Sequence, residues 1–279
     1  MSQEGPEVKL FREACADGDI HKTSRLLEEG KVDPLIGWGH RNMTPLHWAC
    51  RHGVFDLVKL LIETYGVSPE IHLRGQHEET PLHLAAVEGH IDVVKYLITK
   101  ASCNPDPHSH GYQRPPITYT CGFADFPPHY SEEDKALEVV KYLCESCQCN
   151  PDWRDAFGMT ALHNACINRR LSIVRYLASE CECNVSLVDN KGNTPIHLTC
   201  MRFPFQDLEH PASVAVEIIR LLVLHFNCDP NATNLLGESP LDISDEPEII
   251  AELVGYGAQG RKAGMYKNPD SFKRHSSSR

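Results

Sequence analysis

Thr44-Pro45-Leu46-His47-Trp48-Ala49-Cys50 returns 36 residues later as Thr80-Pro81-Leu82-His83-Leu84-Ala85-Ala86. Two variants stand 34 residues apart, Thr160-Ala161-Leu162-His163-Asn164-Ala165-Cys166 and Thr194-Pro195-Ile196-His197-Leu198-Thr199-Cys200. The word carries its own physics. Thr at an N-cap offers a hydroxyl to an orphan amide of the first turn, and Pro at N1 has a suitable fixed φ and no amide to satisfy. Leu then faces the core, and the small residues that follow let a neighbouring helix approach closely. A turn-rich stretch such as Asp189-Asn190-Lys191-Gly192-Asn193 closes the pattern. Each period therefore reads as helix, short loop, helix and extended finger.

Weaker copies extend the register. Pro115-Pro116-Ile117-Thr118-Tyr119-Thr120-Cys121 lies 35 residues after Thr80, Lys9-Leu10-Phe11-Arg12-Glu13-Ala14-Cys15 lies 35 before Thr44, and Ser239-Pro240-Leu241-Asp242 lies 45 after Thr194. Seven repeats result, starting near residues 9, 44, 80, 115, 160, 194 and 239 and filling residues 1–257. The first and last lack the His, as terminal repeats with a wet outer face do. Period and word together resemble the ankyrin repeat family. The resemblance implies an all-α solenoid of helix-turn-helix repeats with short β-hairpin-like fingers. It also implies that the recurrent His ties neighbouring repeats together, and that protein partners dock on the concave face of fingers and inner helices.

On this chain the finger positions are Trp38, His40, Arg74, His77, His108, His110, Tyr112, Trp153, Arg154 and Phe157. The inner-helix positions are Trp48, Arg51, His52, Glu88, Tyr119, Asn168 and Arg202. Trp, Tyr and Arg dominate interface energetics, so these are the candidate partner-binding residues. Trp38, Trp153 and Phe157 read as exposed anchors. The column Trp48, Leu84, Tyr119 and Leu198 reads equally well as recognition or as stacking.

Twelve cysteines fall on the repeat rather than on a site. Five (Cys15, Cys50, Cys121, Cys166, Cys200) share one inner-helix position, four (Cys103, Cys149, Cys183, Cys228) follow the outer helix, Cys147 and Cys181 share a third position, and Cys144 stands alone. Stacked helices lie about 8–10 Å apart, too far for a disulfide between equivalent positions. The run Cys144, Cys147, Cys149 with Cys181 and Cys183 is the one group that raises a metal- or redox-responsive alternative, but its CxC spacing chelates zinc poorly. Cys147 and Cys181 also sit near helix C-termini, beside Glu145, Glu180 and Glu182, where thiolates are disfavoured. One imidazole per repeat leaves the histidines too far apart to share a metal. No nucleophile elbow, phosphate loop or HExxH motif is present, so the sequence points to no enzyme, cofactor or metal.

Net charge is −11, with 27 Lys and Arg against 38 Asp and Glu, and residues 258–279 carry six Lys/Arg and one Asp. That leaves about −16 on the body and a basic tail with no apolar period, expected to be disordered. An acidic body argues against nucleic-acid backbone as a ligand. No apolar run is long enough for a membrane span and no signal peptide opens the chain. A monomer of the cytoplasm or nucleus that binds a protein partner is the expectation, or else the regulatory part of a larger signalling protein.

Two departures mark the array. Repeats four and six run 45 residues, with the excess between inner and outer helix: Phe123–Tyr130 in one, Phe203–Pro211 in the other. These aromatic-proline loops read either as a functional edge or as covers for their own helix ends. Ser131-Glu132-Glu133-Asp134 reads as a capping box opening the next helix. In repeat five Arg169 replaces the loop Gly, which implies positive φ at a cost of roughly 1 kcal/mol.

Overall fold

A computed structural model describes residues 5–39, 42–73, 78–107, 111–122, 133–202 and 212–260. Its helices fall into two compact units, one of residues 1–120 and 134–149, the other of 121–133 and 150–279. In the first unit run α1 (Pro6–Ala16), α2 (Ile20–Glu28), α3 (Pro45–His52), α4 (Phe55–Lys59, continued by a π-helical turn Leu60–Thr64), α5 (Pro81–Val87), α6 (Ile91–Thr99), α7 (Pro116–Thr120) and α8 (Glu133–Glu145). The second holds α9 (Ala161–Ile167), α10 (Leu171–Ser179), α11 (Pro195–Cys200), α12 (Ala212–Arg220, continued by Leu221–His225), α13 (Pro240–Ile243) and α14 (Pro247–Gly255). Inner helices pack side by side, α1, α3, α5, α7 in the first unit and α9, α11, α13 in the second. Among the described residues the fold is helical without strands. Trp38 and Met43 make one isolated antiparallel bridge.

The Thr-Pro-Leu-His word builds every strong inner helix in the same way. Thr80, Thr160 and Thr194 are extended N-caps whose own amides donate to Nδ1 of His83, His163 and His197 at 3.1, 3.2 and 3.1 Å. An amide can only donate, so Nδ1 is the bare nitrogen and the proton sits on Nε2. Nε2–H then donates to a carbonyl of the finger that leads into the next repeat: Arg114 O at 2.9 Å, Asn193 O at 3.3 Å and Glu238 O at 3.1 Å. His47 makes the same reach to Ile71 O at 3.1 Å. The resemblance's expectation for this His holds in both compact units. In the last repeat Asp242 keeps the capping half, accepting from Ser239 N at 3.0 Å.

Outer helices also end alike. The amides of Val67, Cys103, Cys149, Cys183 and Cys228 reach back six residues to Leu61, Leu97, Leu143, Leu177 and Leu222 at 2.9–3.2 Å. Such a six-residue closure needs positive φ just before it. Gly66 supplies it once, while Ser102, Gln148, Glu182 and Asn227 adopt φ of 51–58° instead. The cysteine column that follows is packed into the stack: Cys103 Sγ donates to Pro69 O at 3.8 Å and Cys149 Sγ to Pro105 O at 3.6 Å. Side chains of Asp33, Asn104, Asn150, Asn184 and Asp229 each cap the amide two residues on, which turns the chain into the finger.

Arg169 has the positive φ that its place demanded, +52°. Its guanidinium is no surface spot. It is 3% exposed and pairs through both terminal nitrogens with the carboxylate of Glu246, the N-cap of α14 two repeats on. Met201 leaves α11 in extended conformation. Both insertion loops (123–132 and 203–211), with Ser131 and Glu132 of the expected capping box, lie outside the described residues. So does the tail from 261. Ala258 to Gly260 are described, and Ala258 is buried.

Two outcomes are expected. Burial holds His47 down to about 4 from an ordinary 6.5, and His163 and His197 are lowered for the same first cause. The unfolded chain therefore binds protons that the folded chain refuses. Stability should be full above about pH 6.5 and fall as pH drops toward 4, with His47 alone costing on the order of 3 kcal/mol. Urea midpoints across that range, compared with His47→Gln, measure it. Separately, Arg169→Ala should destabilise by about 3 kcal/mol because Glu246 loses its partner, and the double change Arg169→Met with Glu246→Leu should recover most of that loss in the same titration.

Candidate functional site

At the C-terminal end of α3 four residues singled out in the sequence converge. Trp48 and His52, four apart on one helix face, stack with ring centroids 4.2 Å apart and planes 32° from parallel. Trp48 is half-buried and His52 exposed. Arg51 Nε donates to Glu88 Oε1 at 3.2 Å, joining α3 to the C-cap of α5. His90 Nε2 meets Arg51 O at 3.0 Å and fixes the helix end beneath the rings. Burial first, then the Arg51 charge, holds the His52 imidazole below its ordinary pKa. At neutral pH it is an uncharged plane lying on the indole.

The second compact unit presents its finger at 150–159. The Asp155 carboxylate accepts from Phe157 N at 2.8 Å and Met159 N at 2.9 Å, and the loop closes through Asp155 N to Met159 O at 2.9 Å. Gly158 is required twice, by φ of +76° and because a Cβ there would meet Asn190 Oδ1 at 2.4 Å. Arg154 braces the tip, donating to Gly158 O at 3.3 Å and Val188 O at 2.9 Å. Phe157 projects from this frame, 48% exposed, and Trp153 beside it is half-buried. This finger is a side-chain-capped loop; the hairpin resemblance lies in its outline.

The remaining candidates disperse. Trp38 is 6% exposed and sits edge-on to Phe11 with centroids 6.0 Å apart, so it is a core residue and not the exposed anchor its finger position suggested. Asn168 is also buried, donating through Nδ2 to Asn164 O at 2.8 Å to close the end of α9. Tyr112 is half-buried with the Arg114 guanidinium 5.5 Å from its ring centroid. Arg202 is exposed beyond α11. His40, Arg74 and His77 lie outside the described residues, with His108 and His110. Of the ambiguous column, Leu84, Tyr119 and Leu198 are buried stacking residues and Trp48 alone keeps an accessible face. Sequence reading missed Leu235 and Leu236, a fingertip pair 78% and 72% exposed. Aligning Ala156-Phe157, Asn190-Lys191 and Leu235-Leu236 by their finger register would have found it.

All twelve cysteines are free thiols, eight buried and four half-buried. Burial pushes Cys15, Cys103, Cys121, Cys149 and Cys166 up to about 12, and raises Cys183, Cys200 and Cys147 as well. At Cys147 the direction matches the sequence argument but the cause differs, since burial leads and no glutamate adds to it; at Cys149 and Cys183, Asp106 and Asp152 add to burial. Among the described residues no three His, Cys, Asp or Glu side chains are grouped to hold a metal ion, and no helix is long and apolar enough to cross a membrane.

Two measurements follow from this geometry. A colorimetric thiol reagent at neutral pH should titrate the four half-buried cysteines and reach the other eight only on unfolding. Trp38→Ala should destabilise the array by about 3–5 kcal/mol, as deletion of a buried aromatic does, and thermal melts check it.

A family model of ankyrin repeats matches residues 11–108 and 129–234. Among solved structures, the human ASB11 ankyrin repeat domain superposes with a TM-score of 0.66 at 21% identity, covering 90% of this chain and 97% of that one. The ankyrin repeat domain of Bcl-3, a member of the IkappaB family, gives 0.59 at 20% identity, covering 91% of this chain and all of the other. Ankyrin repeat domains generally mediate protein–protein interaction and are typically not enzymes. With its repeated Thr-capped helices, its histidine bonds from repeat to repeat and a family match over most of its length, the chain belongs to the ankyrin repeat family.

Proposed function

We propose that the chain is a non-enzymatic recognition module, a monomer of the cytoplasm or nucleus, that binds a protein partner through its fingers and the ends of its inner helices. The observation that carries this reading is the cluster at the end of α3. Trp48 and His52 form an accessible aromatic shelf beside the Arg51–Glu88 pair. Burying such a shelf removes apolar area from water, and the adjoining pair supplies both a donor and an acceptor for a partner's polar groups. Phe157 on its braced loop is a second anchor of the same kind. Both are held before a partner arrives, so little side-chain entropy is lost on binding.

The test begins with the immobilised chain and identification of the protein it retains, followed by titration calorimetry of that pair. Trp48→Ala and Phe157→Ser should each weaken binding by about 2 kcal/mol while leaving the melting temperature nearly unchanged. Replacing Phe126-Pro127-Pro128 with a Gly-Ser link should leave affinity intact. If both anchor substitutions are silent and the loop replacement abolishes binding, the interface is the insertion edge and this reading is wrong.

A further inference from the structure

Four of the seven large apolar side chains exposed among the described residues stand on three successive fingers of the second unit. They are Phe157, Val188, Leu235 and Leu236, at 48, 38, 78 and 72% exposure. Exposed apolar residues are ordinarily scattered singly. The tips that carry these are joined: Asn190 N donates to Phe157 O and Leu235 N to Lys191 O, both at 2.9 Å. Their spacing is therefore fixed. The fingers open at Asn150, Asn184 and Asp229, and Phe157, Lys191 and Leu236 each lie seven residues on. One column of the tips reads apolar, cation, apolar.

The exposed charge at these tips is cationic. Lys191 is exposed, as is Arg154, which the carbonyls of Gly158 and Val188 hold at the tip. The nearby carboxylates are turned inward. Asp155 and Asp189 are 5% and 8% exposed and accept amides of their own loops, and half-buried Glu238 accepts from Asn234 Nδ2. The four apolar side chains together expose on the order of 400 Å², the size at which a contiguous patch marks an interaction site. That is about half of the roughly 800 Å² per partner that two folded proteins bury in a stable interface. A short segment fits such an area. A second copy of the chain would set like charges against each other, and residues 258–279, with six Lys/Arg against one Asp, have the wrong sign. Stacked repeats lie about 8–10 Å apart. In polyproline II, side chains three residues apart share one face and stand about 9 Å from each other.

We propose that Phe157, Lys191 and Leu236 take an extended acidic segment of another protein. In that segment a large apolar residue, a carboxylate three residues on and a second large apolar residue three further on meet the three tips in turn. The carboxylate pairs with the Lys191 ammonium, and Val188 and Leu235 widen the apolar contact on either side. This inference rests on the reading of the chain as a recognition module and supplies the chemistry of the partner.

A random dodecapeptide library displayed on phage and panned on the immobilised full chain tests this. The selected peptides should carry net negative charge and the apolar, acidic, apolar pattern at intervals of three. A synthetic copy of the strongest, followed by fluorescence anisotropy, should lose at least tenfold in affinity on Leu236→Asp and on Lys191→Glu. Leu224→Asp, at a 60% exposed leucine beyond α12, should leave its affinity unchanged. The same peptide with Lys for its central acid should bind the Lys191→Glu chain at least tenfold better than the wild type. That charge swap decides the matter even where Leu236→Asp unfolds the array. No enriched peptide, peptides without the pattern, indifference to Leu236→Asp in a folded array, or a swap without rescue would each overturn the proposal. So would sedimentation with phosphatidylcholine–phosphatidylserine vesicles that Leu236→Asp abolishes, since the occupant would then be a membrane. A protein retained by the immobilised chain but indifferent to these fingertip changes sinks this inference alone, whereas retention of no protein sinks the reading beneath it.

Discussion

A buried neutral imidazole that spends both nitrogens is the interaction on which this architecture rests. At 0% exposure His83, His163 and His197 can be present only because Nδ1 takes an amide and Nε2 gives a proton. An unsatisfied polar group at such a place would cost about 1–3 kcal/mol. The same ring serves two levels of structure at once. It completes the N-cap of its own helix and fixes the height at which the next finger ends and the next inner helix starts. Loss of either nitrogen's partner would free the other.

That economy explains what was legible. The Thr-Pro-Leu-His word states helix start, core direction and inter-repeat bond within four residues, so helix placement and the role of the histidines could be read directly. The positive φ at Arg169 was equally readable, because Gly holds that place elsewhere. Its partner was not. Glu246 lies 77 residues away and meets Arg169 only through the stacking of three inner helices. The Arg51–Glu88 pair was hidden for the same reason, although both residues had been chosen singly.

Finger positions were read less well because a finger has an inner and an outer side that the repeat period does not distinguish. Trp38 and Phe157 both flank a glycine in a finger, yet Trp38 turns inward onto Phe11 while Phe157 projects. What separates them is their place in the finger: Trp38 N bonds Met43 O as Asp155 N bonds Met159 O, so Trp38 holds the inward place of Asp155 while Phe157 lies two residues further on, at the tip. The cysteines show the reverse case. Their recurrence at fixed repeat positions correctly marked packing residues, while the leading reason for their high pKa, desolvation ahead of nearby carboxylates, needed the burial itself.

In a linear array each repeat normally touches only its neighbours, and its energetics follow a chain of nearest-neighbour terms. The Arg169–Glu246 pair breaks that rule by joining repeats five and seven across repeat six. Unravelling from the C-terminal end cannot then proceed one repeat at a time, because release of the seventh repeat strands a buried guanidinium in the fifth. Repeats five to seven are thereby coupled into a single cooperative block, in a fold whose other connections would allow them to open in sequence.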